Sequence, residues 1–182
     1  MTSDLISLSA RAVRDLLKDR QVTPLELLEA LETRIAEVNG PVNALPTLCF
    51  ERARARALEQ DFSTLPLAGI PIVIKDLLTV SGVRTTFGSM AYRDHVPKAS
   101  DLLVERIEAA GGIVYAKSNT PEFGAGANTF NDVFGFTRNP WNTALSAAGS
   151  SGGSAVALAT GMAWLATGSD LGGSLRNPAS FC

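Results

Sequence analysis

Cysteine and histidine are scarce in this sequence of 182 residues: Cys49 and Cys182 are its only thiols, and His95 is its only imidazole. Two cysteines cannot build a disulfide framework or a four-thiolate zinc site. A single histidine excludes a histidine-rich metal centre, and any Ser–His–Asp triad would have to use His95, which lies in a polar Tyr-Arg-Asp-His-Val-Pro loop. An excess of one charge is missing too. Sixteen Lys and Arg stand against 18 Asp and Glu, a formal net charge of −2, whereas an electrostatic nucleic-acid binder carries a basic stripe. Long apolar runs are absent. The longest weakly polar stretch, 155–166, is broken by Thr160 and Gly161 and falls short of the roughly 20 residues a membrane span needs. The opening MTSDLISLSARAV has an acid at Asp4, no basic start and no apolar centre, so it does not read as a secretory leader. The expectation is a soluble cytoplasmic protein with neither nucleic acid nor membrane as partner.

The chain is 46% hydrophobic and 19% charged, the balance of a globular protein, and its length suits one domain. Residues 1–120 hold 29 of the 34 charged residues and residues 121–182 only five, with glycine denser in the second part. The first part reads as ordinary amphipathic elements, the second as buried backbone with tight turns. Thr23, Pro24 and Glu26 form an N-cap, a first-turn proline and a capping-box acid. Leu28, Leu31, Ile35 and Val38 follow on one helical face, and Asn39-Gly40-Pro41 is expected to end that helix. Helices are also expected over 9–19 and over 50–60, the latter with a solvated face of Arg52, Arg54 and Arg56. Ile70-Pro71-Ile72-Val73-Ile74 is a β-branched strand stopped by Lys75-Asp76. A helix from Ser100 carries Leu103, Ile107 and Ala110 and ends at Gly111-Gly112. A strand over 113–116, a helix over 152–161 and a short strand over 163–167 follow. Helices alternating with uniformly apolar strands predict an α/β protein whose sheet is buried on both faces.

Three features carry chemical interest. Lys75 ends an apolar strand. Lysines there usually reach solvent or pair with a neighbouring acid, but one held in a low-dielectric site favours its neutral form and can act as a base. Gly149-Ser150-Ser151-Gly152-Gly153-Ser154 leads into a helix. It lacks the Gly-Lys-Ser/Thr ending of a phosphate loop and, as a bare pattern, fits a tight turn with capping serines. Gly168-Ser169-Asp170-Leu171-Gly172-Gly173-Ser174 aims several backbone N–H groups at one place, as an oxyanion hole requires. A serine at its end is well placed as a nucleophile, although a plain two-glycine turn would look the same. Taken together, a serine nucleophile served by a lysine base is a known alternative to histidine.

The run AGSSGGSAVALATGMAWLATGSDLGGSLRNPASFC closely resembles the amidase signature family, preceded in the family's order by LPLAGIPIVIKD and GGIVYAKSNTPEFGAGANTFNDVFGFTRNPWN. The resemblance covers most of the chain and is weakest over the first 60 residues. It implies part of a large mixed β-sheet flanked by helices on both faces, with a helical region over 1–62 and the first half of a catalytic core over 63–182. It implies an amide hydrolase working through an acyl-serine. Ser174 matches the nucleophile, Ser150 the bridging serine that the family holds on a cis peptide, and Lys75 the lysine that takes the relayed proton. The N–H groups of Leu171, Gly172 and Gly173, with that of Ser174, match the oxyanion hole. Gly124 and Gly126 match positions lining the substrate site, and Ser151, Asp170 and Arg176 match supporting residues. The resemblance implies no metal and no organic cofactor, a small-molecule amide as partner, and a possible homodimer in the complete protein. Family members continue beyond Cys182, so the expectation is an N-terminal fragment. The Asn119–Ala125 segment looks more like the free-standing bacterial amidases. The alternatives are the glutaminase subunit of a tRNA-dependent amidotransferase and an inactive truncated remnant.

Overall fold

The computed structural model describes residues 5–182. Helix α1 (Ala10–Lys18) opens on Ser9, whose hydroxyl accepts from the Ala12 amide. Helix α2 (Pro24–Val42) opens on the expected capping box. The Thr23 hydroxyl accepts from the Glu26 amide, and the Glu26 carboxylate accepts from the Thr23 amide. It does not stop at Asn39-Gly40-Pro41 but runs on to Val42 and ends on Asn43 in the left-handed region. Pro41 frees only the carbonyl four residues back, on exposed Glu37, where water can reach it. Burial of Val42 and the Asn39 side chain, which accepts from the Ala44 and Leu45 amides, favour the extra turn.

Strand β1 (Thr47–Leu48) precedes helix α3 (Phe50–Ala57), which is shorter than expected. Its arginine face is not simply solvated. Arg52, Arg54 and Arg56 are half-buried and pair with Glu108, Glu32 and Glu59 respectively. Arg54 and Arg56 also lie over the rings of Phe50 and Phe62. Long guanidinium stems cover apolar surface while their heads reach neighbouring acids.

Strand β2 (Pro71–Lys75) is buried at every residue, as is strand β3 (Ile113–Ser118). Between them, helix α4 (Leu102–Ala109) forms the crossover that parallel strands require. Ile107 packs inward as expected, but Val104 takes the place expected of Leu103, which is exposed with Leu102. Strands β4 (Phe130–Asn131) and β5 (Gly135–Phe136) make a small hairpin. Helix α5 (Gly152–Ala159), strand β6 (Leu165–Ala166) and helix α6 (Arg176–Phe181) complete the chain. The main sheet has the order β1-β3-β2-β6, with β1 antiparallel to β3 and the others parallel.

The sheet separates two apolar clusters. On one face Val73, Ile113 and Tyr115 meet Leu27, Leu28 and Leu31 of α2 and Val156 of α5. On the other, Ile72, Ile74 and Val114 meet Val80, Val83 and Val104. The first cluster draws on residues from both 1–62 and 63–182. Helix α5 approaches the end of β3 so closely that a Cβ on Gly153 would come within 2.4 Å of the Asn119 amide nitrogen and 2.8 Å of the Ala44 carbonyl oxygen. Backbone cannot step aside as a side chain can. Gly153→Ala is therefore expected to destabilise the chain by about 1–3 kcal/mol, the range for overpacking. Thermal unfolding checks this, with Gly40→Ala as control because a Cβ there meets nothing within 4 Å.

Candidate active site

Strand β2 ends on Lys75, whose amide donates to Thr167 Oγ1 at 2.8 Å, fixing the strand end beside the segment after β6. The side chain is 1% exposed. Its Nζ lies 2.7 Å from Ser150 Oγ, 2.9 Å from Ser151 Oγ and 3.0 Å from Ser169 Oγ. All three partners are neutral hydroxyls. Burial brings the amine down to about 8, against an opposing pull from the Asp170 carboxylate.

Counting protons shows what each hydroxyl can do. Ser151 Oγ donates its one hydrogen to the Ser169 carbonyl at 3.3 Å, so towards Lys75 it acts as an acceptor. Among the described residues, the Ser150 and Ser169 hydroxyls have no other acceptor, so either can turn a proton toward the lone pair of a neutral amine. Ser151, expected to support the site from behind, touches the lysine directly.

The Gly149–Ser150 peptide is cis. Gly149 lies against the backbone of residues 127–128, where a Cβ would come within 2.9 Å of the Asn128 carbonyl carbon. Ser174 is half-buried, and its carbonyl accepts from the Ser151 amide at 3.1 Å. This backbone bond brings the two serine loops together, while the contacts of Lys75 Nζ do not include Ser174. Hydroxyl contacts of this kind are often long in a free site and tighten when substrate is bound.

Asp170 organises the turn before Ser174. Its carboxylate accepts from the amides of Gly173 at 2.7 Å, Leu175 at 3.1 Å and Arg176 at 3.2 Å. It also receives the Arg176 guanidinium through two bonds of 3.0 Å. Arg176, and after it the Gly173 amide, hold this carboxyl far below the usual carboxylate range. The Gly173 N–H is thus already used. Among the described residues, the amides of Leu171, Gly172 and Ser174 donate to no such partner.

A cavity of about 370 Å³ is lined by Gly88, Met90, Pro121, Glu122, Gly126 and Asn128, among others. Gly126 thus faces open space. Gly124 lies instead against Leu77, whose Cδ1 would be 2.5 Å from a Cβ at that position. The cavity wall over 127–128 backs onto Gly149. His95 stacks on Phe87 and meets Tyr92 edge-on. No group of three or more His, Cys, Asp or Glu suited to a metal occurs among the described residues, and no helix among them is long and apolar enough to cross a membrane.

Sequence reasoning missed Ser169, although it sits in the second glycine loop. Nothing in a Gly-Ser-Asp triplet marks which way the hydroxyl turns. It also missed the buried pair of Asp76 and Lys117. The available signal was a lysine continuing an otherwise apolar strand.

A family model described as Amidase matches residues 26–182. A glutamyl-tRNA(Gln) amidotransferase subunit from Methylacidiphilum infernorum (isolate V4) is 42% identical over 178 residues, covering 98% of this chain and 36% of that protein. A solved structure of 6-aminohexanoate cyclic dimer hydrolase superposes with a TM-score of 0.89 at 34% identity, covering 97% of this chain and 37% of the other. One of fatty acid amide hydrolase superposes with a TM-score of 0.91 at 26% identity, covering 98% and 32%. This chain therefore spans about a third of each of these proteins.

The titration of Lys75 can be measured without turnover. The sequence holds four lysines, Lys18, Lys75, Lys98 and Lys117, so NMR of 13Cε-labelled lysine gives four signals and Lys75→Met identifies one. The expected midpoint is about 8, moving lower in Asp170→Asn because a carboxylate that favours the ammonium is gone. A midpoint at the ordinary lysine value of about 10.4 would mean that burial does not govern this amine.

Proposed function

This chain belongs to the amidase family, and on that premise we propose that it carries the acyl-transfer machinery of an amide hydrolase, with Ser174 as nucleophile, Ser150 as relay and Lys75 as base. The observation that carries the reading is the buried Lys75 amine held by three hydroxyls and by no carboxylate. A lysine paired with an acid would keep its proton at neutral pH. This one titrates near the pH at which it must accept one.

In the proposed reaction neutral Lys75 takes a proton from Ser150, which takes one from Ser174 as Ser174 Oγ attacks the amide carbonyl carbon. The carbonyl π electrons move to oxygen, and the oxyanion is held by the amides of Leu171, Gly172 and Ser174. The relay then returns the proton through Ser150 to the leaving nitrogen, the C–N bond breaks, and an acyl-serine remains. Water, deprotonated along the same path, releases the acid. Asp170 and Arg176 keep the turn in shape, and the cavity at Gly126 receives the amide's substituents. We propose a small-molecule amide as substrate.

A second reading has a specific observation behind it. The curated relatives at about 40% identity are amidotransferase subunits. In that role the same serine chemistry would release ammonia from an amide donor for transfer to glutamyl-tRNA(Gln), with partner subunits. The two readings share the acyl-serine and differ in what supplies the acyl group.

Hydrolysis of a simple aryl amide by the protein tests the first reading. Ser174→Ala and Lys75→Ala are each expected to lower kcat/KM by at least about a thousandfold, since groups acting as a unit fail together. With the neutral amine active, the rate should rise with pH through about 8 and level off above it. Activity retained in Lys75→Ala would sink the relay. Turnover only with glutamine and glutamyl-tRNA(Gln), in the presence of partner subunits, would decide for the second reading.

A further inference from the structure

A second buried lysine has no part in that reaction. Lys117, on β3, is wholly buried, and so is Asp76, the residue after Lys75. Lys117 Nζ lies 2.8 Å from each of Asp76 Oδ1, the Leu78 carbonyl oxygen and Thr85 Oγ1. Three ammonium protons meet three acceptors. The other carboxylate oxygen, Asp76 Oδ2, accepts from the Thr86 amide at 3.0 Å and the Thr86 hydroxyl at 2.7 Å. A buried ion pair offsets the desolvation of its two charges only with such additional bonds, and packed apolar residues often serve stability as well. What distinguishes this pair is what it holds.

Beyond Asp76 the bonds lead outward. Thr86 Oγ1 accepts from the Gly88 amide at 3.0 Å, and the Phe87 carbonyl accepts from the Phe123 amide at 2.7 Å. Gly88, at φ +68°, lies so close to the next segment that a Cβ would come within 2.9 Å of the Thr120 carbonyl oxygen and 3.0 Å of the Glu122 nitrogen. Gly88, Pro121 and Glu122 line the 370 Å³ cavity. The route from ion pair to cavity wall is therefore continuous. It lies across the sheet from the serines, because neighbouring strand residues point to opposite faces. Lys75 turns to the hydroxyls. Asp76 turns to Lys117, which is in register with Ile74.

We propose that Lys117 and Asp76 form a positioning pair for the substrate cavity, clamping loop 85–89 against segment 120–124 and so setting where an amide's substituents rest. Neither residue touches the reacting atoms. The proposal rests on the amide-hydrolase reading for what fills the cavity. The clamp itself does not.

The test uses Thr86→Val, which removes one hydroxyl and keeps both the ion pair and the side-chain volume. With an aryl amide as substrate, KM is expected to rise by roughly tenfold while kcat changes by less than about threefold, and Thr86→Ser should restore both. Hydrogen exchange followed by mass spectrometry needs no turnover. Thr86→Val and Lys117→Met should each speed exchange over 120–126 by about tenfold or more, with β2 and β3 still protected. Unchanged exchange over 120–126 in Thr86→Val overturns the clamp, and so does an equal acceleration along the whole chain. Faster local exchange with an unchanged KM overturns the positioning role. Should Lys117→Met fail to fold, Thr86→Val decides alone. Should the wild type show no Ser174-dependent turnover, the amidase reading fails and the exchange result still decides the clamp.

Discussion

A lysine amine buried among serine hydroxyls, with the carboxylate next to it in sequence turned to the other side of the sheet, is the interaction on which the rest of the site depends. In water a lysine is protonated well above neutral pH, and a carboxylate beside it would keep it so. Here β2 runs through the middle of a sheet covered on both faces, and strand alternation sends Lys75 and Asp76 in opposite directions. Asp76 is occupied by Lys117, leaving Lys75 to neutral partners. The energetic demand of two buried lysines is thus met in two ways. One meets a carboxylate and two further acceptors, and the other sits where losing its proton is easy.

Bringing the serines to that amine requires backbone to approach backbone. Gly149 lies on residues 127–128 and Gly153 on the end of β3, while Gly168 leaves room for Leu175 and the Ser151 hydroxyl. A side chain at any of these places would push one loop off another. The density of glycine after residue 120 is the sequence form of this constraint, although much of 122–128 and all of 141–146 face solvent. The charges that remain in this stretch at Asp170 and Arg176 are paired with each other at the surface.

Those two loops are legible in the amino-acid sequence alone, as are the apolar strands, the Thr23 capping box and the mixed α/β architecture, because each has a local signature in spacing or residue type. The buried contacts are not. Lys75 and Ser169 are 94 residues apart, and Lys117 and Asp76 are 41 apart. A hydrogen bond between such positions leaves no periodic trace. Local rules also lose where tertiary burial outweighs them. Val42 carries α2 through a proline, and α4 turns Val104 inward rather than Leu103. The turn before Ser174 is readable as a set of N–H groups, but which of them a nearby carboxylate consumes is not.

That last point bears on how the proposed oxyanion would be held. A carboxylate taking the Gly173 amide stands one turn from where negative charge would develop, and alone it would oppose that charge. Arg176 forks onto the same carboxylate while its own side chain is 76% exposed. An exposed pair of this kind contributes little to stability. Arg176 and the three backbone bonds to Asp170 instead tie the carboxylate to the turn around Ser174. In the proposed reaction the amides of Leu171, Gly172 and Ser174 would then face the developing charge without a neighbouring donor having to reorganise. The same three bonds tie Asp170 to the residues on both sides of Ser174, so the proposed nucleophile sits on a turn that a carboxylate holds from within.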